Sequence, residues 1–135
     1  MLQIKDAMCP VINPLRTDMP LVDAVTTLLK SGYLGLPVVD KNLKIVGFLS
    51  EFDCLPHLLA DSYHCDSHVT VETLMRRDPL VVKPNMSVVD LAQQMALDKP
   101  KVYAVEDQGK LVGVITRSML MRTLNEALKQ CNAVA

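Results

Sequence analysis

Apolar residues recur at helical spacing early in the chain. The positions that share this face are Leu21, Val22, Val25, Leu28 and Leu29. Residues three and four apart lie on one side of a helix, so the spacing predicts an amphipathic helix. Pro20 suits its first turn and Gly32 its C-terminal end. Two apolar runs, residues 36–39 and 45–49, follow with a polar turn between them, which predicts a pair of β-strands.

Shorter elements complete this order in the first half of the chain. A short helix is predicted over residues 4–8, an extended segment over 11–14, and another helix from Ser50 onwards. Pro56 lies inside the apolar pattern of that last helix and removes one backbone hydrogen bond, so we expect a kink or a later start. The polar, histidine-bearing stretch 61–70 is interpreted as a linker.

The same order of elements returns in the second half of the chain. Residues 4–60 are echoed by residues 71–126, at a spacing of 67 that becomes 66 after the helix. A unit of about 60 residues is close to the lower limit for independent folding, so we expect the copies to pack on each other. The fold class expected is mixed α/β (α+β), built from two β-α-β-β-α repeats. The expected boundaries are 1–65 for the first repeat (core 8–60) and 66–135 for the second (core 75–130).

Composition limits the possible functions. The chain has 135 residues, half of them apolar, and a net charge of -1 without a long basic run, which gives no reason to expect nucleic-acid binding. No apolar run approaches the length of a membrane span, and the N-terminal residues lack the pattern of a secretion signal. The four cysteines form no CxxC pair and no disulfide framework. We therefore expect a soluble cytoplasmic protein with reduced thiols and no membrane contact.

Two segments of the repeat carry a family resemblance. Residues 36–40 with 45–53, and more loosely 103–106 with 110–116, are similar to the signature of the cystathionine β-synthase (CBS) domain. The chain as a whole resembles a tandem pair of CBS domains, often called a Bateman module. The resemblance implies that the two copies pack through their sheets with approximate two-fold symmetry and leave two clefts.

The same resemblance implies a regulatory function. Clefts of this family commonly bind AMP, ADP, ATP or S-adenosylmethionine as regulatory ligands, with no obligatory cofactor. Two such pairs often associate into a flat disc, so a homodimer is expected. The expected function is a sensor that relays ligand occupancy to an unknown effector protein. The alternative is a dimerisation scaffold with degenerate, ligand-free clefts.

The turn after the second strand offers the first candidate chemistry. Gly47 permits close approach of backbone or ligand. Ser50 stands where strand becomes helix, and free amides there suit a phosphate, although Glu51 would repel it. The resemblance implies that Asp53 accepts hydrogen bonds from the ribose hydroxyls. Ser50 and Asp53 also fit a capping box, which local sequence alone favours; the two roles are partly compatible.

The second repeat departs from this pattern. Thr116 keeps the hydroxyl and Arg117 adds a cation, but Met119 stands where the ribose-binding aspartate would be. A thioether is only a weak acceptor. The asymmetry motivates the hypothesis that the first cleft holds the nucleoside through Asp53, while phosphate contact depends on Arg117 or another nearby basic residue. This favours AMP or S-adenosylmethionine over a polyphosphate in the first cleft.

The remaining candidate ligand-binding residues form the expected cleft floor. They are Ile12, Asn13, Pro37 and Val38, with Val81, Val82, Tyr103 and Ala104 as their equivalents. Tyr103 replaces the family's usual proline and is expected to stack on a base or fill a vacant cleft. The equally weighted alternative is that all of these residues belong to the core.

Other readings of the sequence are weaker. Histidines and cysteines between Cys54 and His68 have spacings that a zinc site could use, but they straddle a helix end, and no metal site is expected. No nucleophile elbow, phosphate-binding loop or paired-carboxylate motif indicates an enzyme. Methionine-bearing apolar faces are expected to support self-association. The methionines concerned are Met8, Met75, Met119 and Met121.

Overall fold

The computed structural model describes residues 2–10, 12–96 and 102–134, and its elements are mixed α and β as expected. In chain order they are α1 (Ile4–Ala7), β1 (Leu15–Arg16), α2 (Leu21–Ser31), β2 (Gly35–Val39), β3 (Ile45–Ser50), α3 (Glu51–His64), α4 (Val71–Leu74), β4 (Val81–Val82), α5 (Val88–Ala96), β5 (Val102–Asp107), β6 (Lys110–Thr116) and α6 (Arg117–Val134). Within the described ranges, no helix is long and apolar enough to cross a bilayer.

The strands form two sheets of the same topology. In the order β1-β2-β3, β1 is parallel to β2 and β2 is antiparallel to β3, and β4-β5-β6 repeats this arrangement. All five residues of β2 are buried, as expected for a central strand covered on both faces. Strands β2 and β5 contact each other, which confirms that the repeats pack through their sheets.

Helix α2 has a narrower buried face than the sequence predicted. Leu21, Ala24 and Leu28 are buried, but Val22 and Leu29 are 63% and 68% exposed. The prediction placed these two on the core face because they follow the helical spacing, yet the sheet covers only one stripe of the helix. Gly32 ends the helix with φ at 74°, a left-handed conformation that glycine adopts without a Cβ clash.

Helix α3 corrects two expectations. It begins directly after Ser50 and continues through Pro56, so the later start was wrong. Pro56 and Phe52 are both exposed, so water can reach the Phe52 carbonyl whose helical partner the proline lacks. The helix also includes the first four residues of the stretch interpreted as linker, and ends at Cys65 in a left-handed conformation.

The first strand lies later than predicted. The expected segment was 11–14, of which Val11 lies outside the described residues, but β1 is Leu15–Arg16. Pro14 has no N–H to donate, so pairing with β2 begins after it. Ile12 and Asn13 therefore precede the strand and are not the structural equivalents of Val81–Val82, which form β4.

Each short helix that opens a repeat packs into the core of the other repeat. Ile4 of α1 is fully buried in a cluster made otherwise of second-repeat residues. Val71 of α4 lies in the first-repeat cluster together with Met75. The backbone joins across the repeats in the same way, because Ile4 N donates to Met86 O (2.9 Å) and Val71 N donates to Met19 O (3.0 Å). The packing follows the expected pseudo-two-fold symmetry.

The exchange continues along the segments after these helices. Cys9 exchanges two backbone hydrogen bonds with Val114 of β6, and Arg76 does the same with Phe48 of β3. The main chain therefore crosses each sheet edge closely. A Cβ on Gly113 would collide with the Cys9 carbonyl oxygen, and one on Gly47 would lie 2.8 Å from the Arg76 carbonyl oxygen.

Candidate functional site

A cavity of about 480 Å³ lies between the two repeats. One wall is the loop after α2, and the other is the end of β6 with the start of α6. Its lining residues are Gly32, Tyr33, Leu34, Val102, Thr116, Arg117, Ser118, Met119 and Arg122. The structure thus places Thr116 and Arg117, two of the predicted site residues, at an opening that needs both repeats.

The start of α6 supplies the polar chemistry of this cavity. Thr116 Oγ1 accepts a hydrogen bond from Met119 N (3.2 Å) and so caps the helix. Arg117 Nη2 donates to Met95 O over 3.4 Å, while Arg117 Nε is buried without a partner among the described residues. The N-terminus of α6 and the guanidinium of Arg117 both favour an anion in this cavity.

Arg122 is a second cation at this cavity that the sequence hypothesis did not name. The hypothesis named Arg117 or another nearby basic residue, and Arg122 lines the same cavity as Arg117. The available signal was a second arginine within the first two turns of the last predicted helix. Sequence alone does not say that both arginines border one opening, because that depends on how α6 meets the loop after α2.

A second cavity of about 320 Å³ lies beside the first repeat's helix α2. Its lining residues are Ile12, Asn13, Thr26, Thr27, Lys30, Ser31, Tyr33 and Leu36. Ile12 and Asn13 were predicted for the cleft floor, and they lie here with Leu36 of β2. Tyr33 lines both cavities, so the two openings are neighbours.

Tyr33 is the functional-site candidate that sequence reasoning missed. Burial raises the pKa of Tyr33, a hydrogen bond with Cys9 and the Cys9 thiol itself raise it further, and Arg122 acts in the opposite direction. Cys9 reaches this position because the segment after α1 pairs with β6. Tyr33 therefore interacts electrostatically with groups from both repeats, where the two cavities meet.

Asp53 makes the interactions of a capping box. Its Oδ2 accepts hydrogen bonds from Ser50 N (3.0 Å) and Ser50 Oγ (2.9 Å), and Asp53 N donates to Ser50 Oγ (3.3 Å). Its other oxygen accepts from Arg76 Nε at 3.3 Å. The capping interpretation is confirmed, and neither Ser50 nor Asp53 lines the two cavities described above. Asp53 and Arg117 thus lie at the starts of different helices.

The other predicted floor residues lie mainly in the interior. Val38 and Ala104 are fully buried, and Pro37 is buried beside Val38 in β2. Val82 and Tyr103 belong to the second core cluster, while Val81 is partly exposed. Burial raises the pKa of the Tyr103 hydroxyl. None of these residues lines either of the two cavities.

The histidines and cysteines of α3 and the following segment are dispersed. Cys54 is buried in the first core, and its burial, with Asp53 and Glu51 nearby, raises the pKa of its thiol. His68 Nε2 lies 3.0 Å from Asp66 Oδ2 at the surface. Within the ranges that the structure describes, no group of three or more such side chains is placed to hold a metal ion.

The methionines do not form the exposed faces expected from the sequence. Met75 is buried in the first core, and Met8 and Met119 pack against the second. Only Met121 of these four is largely exposed, at 66%. The expectation was wrong because the exchanged segments bury Met8 and Met75, which the repeat pattern cannot show.

Comparison with protein families identifies the module. The family model of the CBS domain matches residues 4–60 and again residues 71–126. The chain belongs to the CBS domain family. It holds two CBS domains, and the two core clusters with exchanged first helices are the two halves of this CBS pair.

Solved structures share the fold of this CBS pair over almost its full length. The crystal structure of Arabidopsis thaliana CBSX2 in complex with AMP matches with a TM-score of 0.81 and 28% identity, covering 94% of this chain and 98% of that one. A putative acetoin utilization protein (AcuB) from Vibrio cholerae matches in fold with a TM-score of 0.85 and 24% identity, covering 98% and 97%.

Curated relatives differ in length. An uncharacterized protein of Methanocaldococcus jannaschii is 26% identical, with 90% of each chain covered. Against two longer curated relatives, this CBS pair spans only 21% and 27% of their length. The curated relatives thus include a chain of similar length and much longer ones.

Proposed function

We propose that this CBS pair is a regulatory module that binds an adenine nucleotide between its repeats and relays the occupancy to a partner protein. The observation that carries the proposal is the inter-repeat cavity of about 480 Å³ with Thr116, Arg117 and Arg122 in its wall. Small-molecule sites have volumes of roughly 300–1,000 Å³. The described lining residues suit the binding of a ligand rather than its cleavage.

The cations of the wall support a phosphate-bearing ligand. Arginine binds phosphate oxygens through paired N–H donors, and the free amides at the start of α6 add to the positive potential. The cavity beside Ile12, Asn13 and Leu36 is adjacent and less charged, which suits the base. Tyr33 lines both cavities, which supports contact of its side chain with both parts of one nucleotide.

A relative supports the ligand class. CBSX2 has been crystallised in complex with AMP, and it matches this chain over 94% of its length. AMP, ADP and ATP are therefore the candidates for the cavity at α6, and S-adenosylmethionine is the candidate without phosphate. Asp53 remains proposed as a ribose contact of the other cleft, where a ligand would share it with Ser50 and Arg76.

Isothermal titration calorimetry tests this function. AMP, ATP and S-adenosylmethionine are titrated into the wild type, Arg122→Gln and Asp53→Ala. We expect Arg122→Gln to weaken nucleotide binding about tenfold, because a charge-assisted hydrogen bond contributes roughly 1.5–3 kcal/mol. Lys110→Gln, which removes a cation from the exposed turn of β6, is the matched control and should bind as the wild type does. Unchanged affinity of Asp53→Ala for every ligand would reject Asp53 as a ribose anchor.

A ligand-free scaffold is the second candidate function. It is favoured by Met119, which stands in place of a carboxylate, and by Asp53, which already has partners for both oxygens. A ligand at 100 times its Kd stabilises a protein by about 2.7 kcal/mol. If millimolar adenine compounds leave the melting temperature unchanged, the scaffold becomes the better description.

We further propose that the module forms a homodimer through helix α3. Four apolar residues of α3, all at least 66% exposed, lie on the side opposite buried Cys54. They are Phe52, Leu55, Leu59 and Tyr63, and we call them the α3 stripe. A stripe of this spacing can pack against its own copy about a two-fold axis. No nucleic-acid or membrane partner is proposed, and the effector protein stays unidentified.

A further inference from the structure

The two long helices that follow the sheets start with the same backbone arrangement and a different side chain. In α3, Asp53 N donates to Ser50 Oγ over 3.3 Å; in α6, Met119 N donates to Thr116 Oγ1 over 3.2 Å. Position 119 is thus the counterpart of Asp53 in three dimensions. Met119 places a thioether in the cavity wall, whereas the equivalent residue of the first repeat, Asp53, has a carboxylate.

This exchange leaves the described part of the wall without a carboxylate as hydrogen-bond acceptor. Two hydroxyls of a ribose need an acceptor with several lone pairs, which a carboxylate offers and a thioether does not. The described residues of the lining include no aspartate or glutamate. Their hydroxyls are those of Thr116, Ser118 and Tyr33, of which Thr116 Oγ1 already accepts from a helix amide.

The same wall has unused capacity to donate hydrogen bonds. Among the described residues, Arg117 makes one long hydrogen bond, to the Met95 carbonyl oxygen, and its buried Nε has no partner. Arg122 is exposed at the cavity rim, and its guanidinium makes no hydrogen bond to the described residues. Two guanidinium groups, with no carboxylate among the described lining residues, favour a ligand rich in anionic oxygens.

We propose that this cleft recognises a phosphorylated adenosine by its phosphate and base, and is indifferent to the ribose hydroxyls. The proposal rests on the nucleotide-binding function proposed above and narrows its ligand. Deoxynucleotides should bind here as well as ribonucleotides. S-adenosylmethionine, which carries a sulfonium cation and no phosphate, should bind weakly beside Arg117 and Arg122.

Calorimetry with matched nucleotides tests the proposal. AMP, 2′-deoxyAMP, 3′-deoxyAMP and S-adenosylmethionine are titrated into the wild type, and the binding phase that Arg122→Gln weakens is assigned to this cleft. In that phase we expect both deoxynucleotides within about threefold of AMP, and S-adenosylmethionine at least about tenfold weaker, since one unsatisfied or lost charged bond changes affinity by roughly that factor.

Variants at position 119 test whether an added hydrogen-bond acceptor makes the cleft selective for the ribose hydroxyls. Met119→Asp should acquire a preference of about tenfold for AMP over 2′-deoxyAMP, because a site built to bond a hydroxyl rejects the analogue that lacks it. Met119→Leu keeps an apolar side chain of similar size and should not discriminate. Met119→Asn is the second acceptor variant if Met119→Asp melts early, and thermal melts of all three accompany the titrations.

The outcomes distinguish a failure of this inference from a failure of the proposed nucleotide binding. If AMP binds but either deoxynucleotide is weakened about tenfold or more in the wild type, ribose recognition exists and this inference is overturned, while nucleotide binding stands. If S-adenosylmethionine binds more tightly than AMP in the Arg122-dependent phase, the phosphate preference is overturned. If no adenine compound binds, the proposed function fails and the inference fails with it.

Discussion

Gly47 and Gly113 lie where the two repeats approach each other too closely for a larger residue. They occupy equivalent positions in β3 and β6, and each lies beneath main chain from the other CBS domain. A side chain at either position would meet a carbonyl oxygen, and at Gly47 it would also meet the Met75 sulfur. The sequence identified Gly47 as a point of close approach, but only the structure shows that the approaching groups belong to Met75 and Arg76 of the other domain.

Replacement of Gly113 by alanine tests this contact. A Cβ at this position collides with the Cys9 carbonyl oxygen, so Gly113→Ala should lower the free energy of unfolding by about 1–3 kcal/mol, as overpacking usually does. Urea denaturation followed by far-UV circular dichroism measures the change. Lys110→Ala, an exposed position on the same strand, should stay within about 0.5 kcal/mol of the wild type. Equal midpoints for Gly113→Ala and the wild type would contradict the close approach of Cys9.

At the scale of the element, helix α3 has apolar residues both on its core side and on its exposed side. Cys54 is buried and Leu58 packs against the first core, while the α3 stripe faces outward. The apolar pattern of the sequence predicted the helix but did not separate these sides. Both sides are apolar, so the pattern marks where contacts form without naming the partner.

A charge in the α3 stripe tests the proposed dimer. Leu59→Glu places a carboxylate in the middle of the stripe, and burying it without a partner is costly, so we expect the dimer Kd to rise at least about tenfold. Sedimentation velocity over a concentration series reports the subunit number. Val89→Glu changes an exposed apolar residue of α5 and should leave the dimer intact. If Leu59→Glu and the wild type sediment alike at every concentration, the stripe is not the dimer contact.

The whole molecule is held together by the exchange of its two opening helices. Each core cluster contains a residue from the other CBS domain, Ile4 in one and Val71 in the other. Neither cluster is complete without the exchanged helix. We therefore treat the pair as one cooperative unit, which is what small folded units of this size commonly form.

Truncation of Ile4 tests this cooperativity. Ile4→Ala should cost about 2–5 kcal/mol, as for other fully buried isoleucines. Urea unfolding is followed by circular dichroism and by tyrosine fluorescence, since Tyr33 and Tyr103 report from different domains. The two curves should coincide. Lys5→Ala, an exposed neighbour, should have no effect beyond about 0.5 kcal/mol. Separate transitions, or a loss below about 1 kcal/mol, would show that the domains fold independently.

The candidate site shows where prediction from sequence reaches its limit. Thr116 and Arg117 were predicted at the start of the last helix and Ile12 and Asn13 on the cleft floor, and each of them lines one of the two cavities. Tyr33 was not identified, since its position depends on the loop after α2 meeting α6 across the domain boundary. Asp53 was correctly read as a possible cap, because capping contacts span only three residues.

The sequence by itself determined the duplicated unit, the class of the fold, the strand pairs and the helix caps, since these depend on periodicity and contacts within a few residues. Only the tertiary structure decided that α1 completes the second core and α4 the first, and that Arg117 and Arg122 border one cavity with Tyr33. An apolar period shows that a side chain will be buried, but it contains no information about which distant surface buries it.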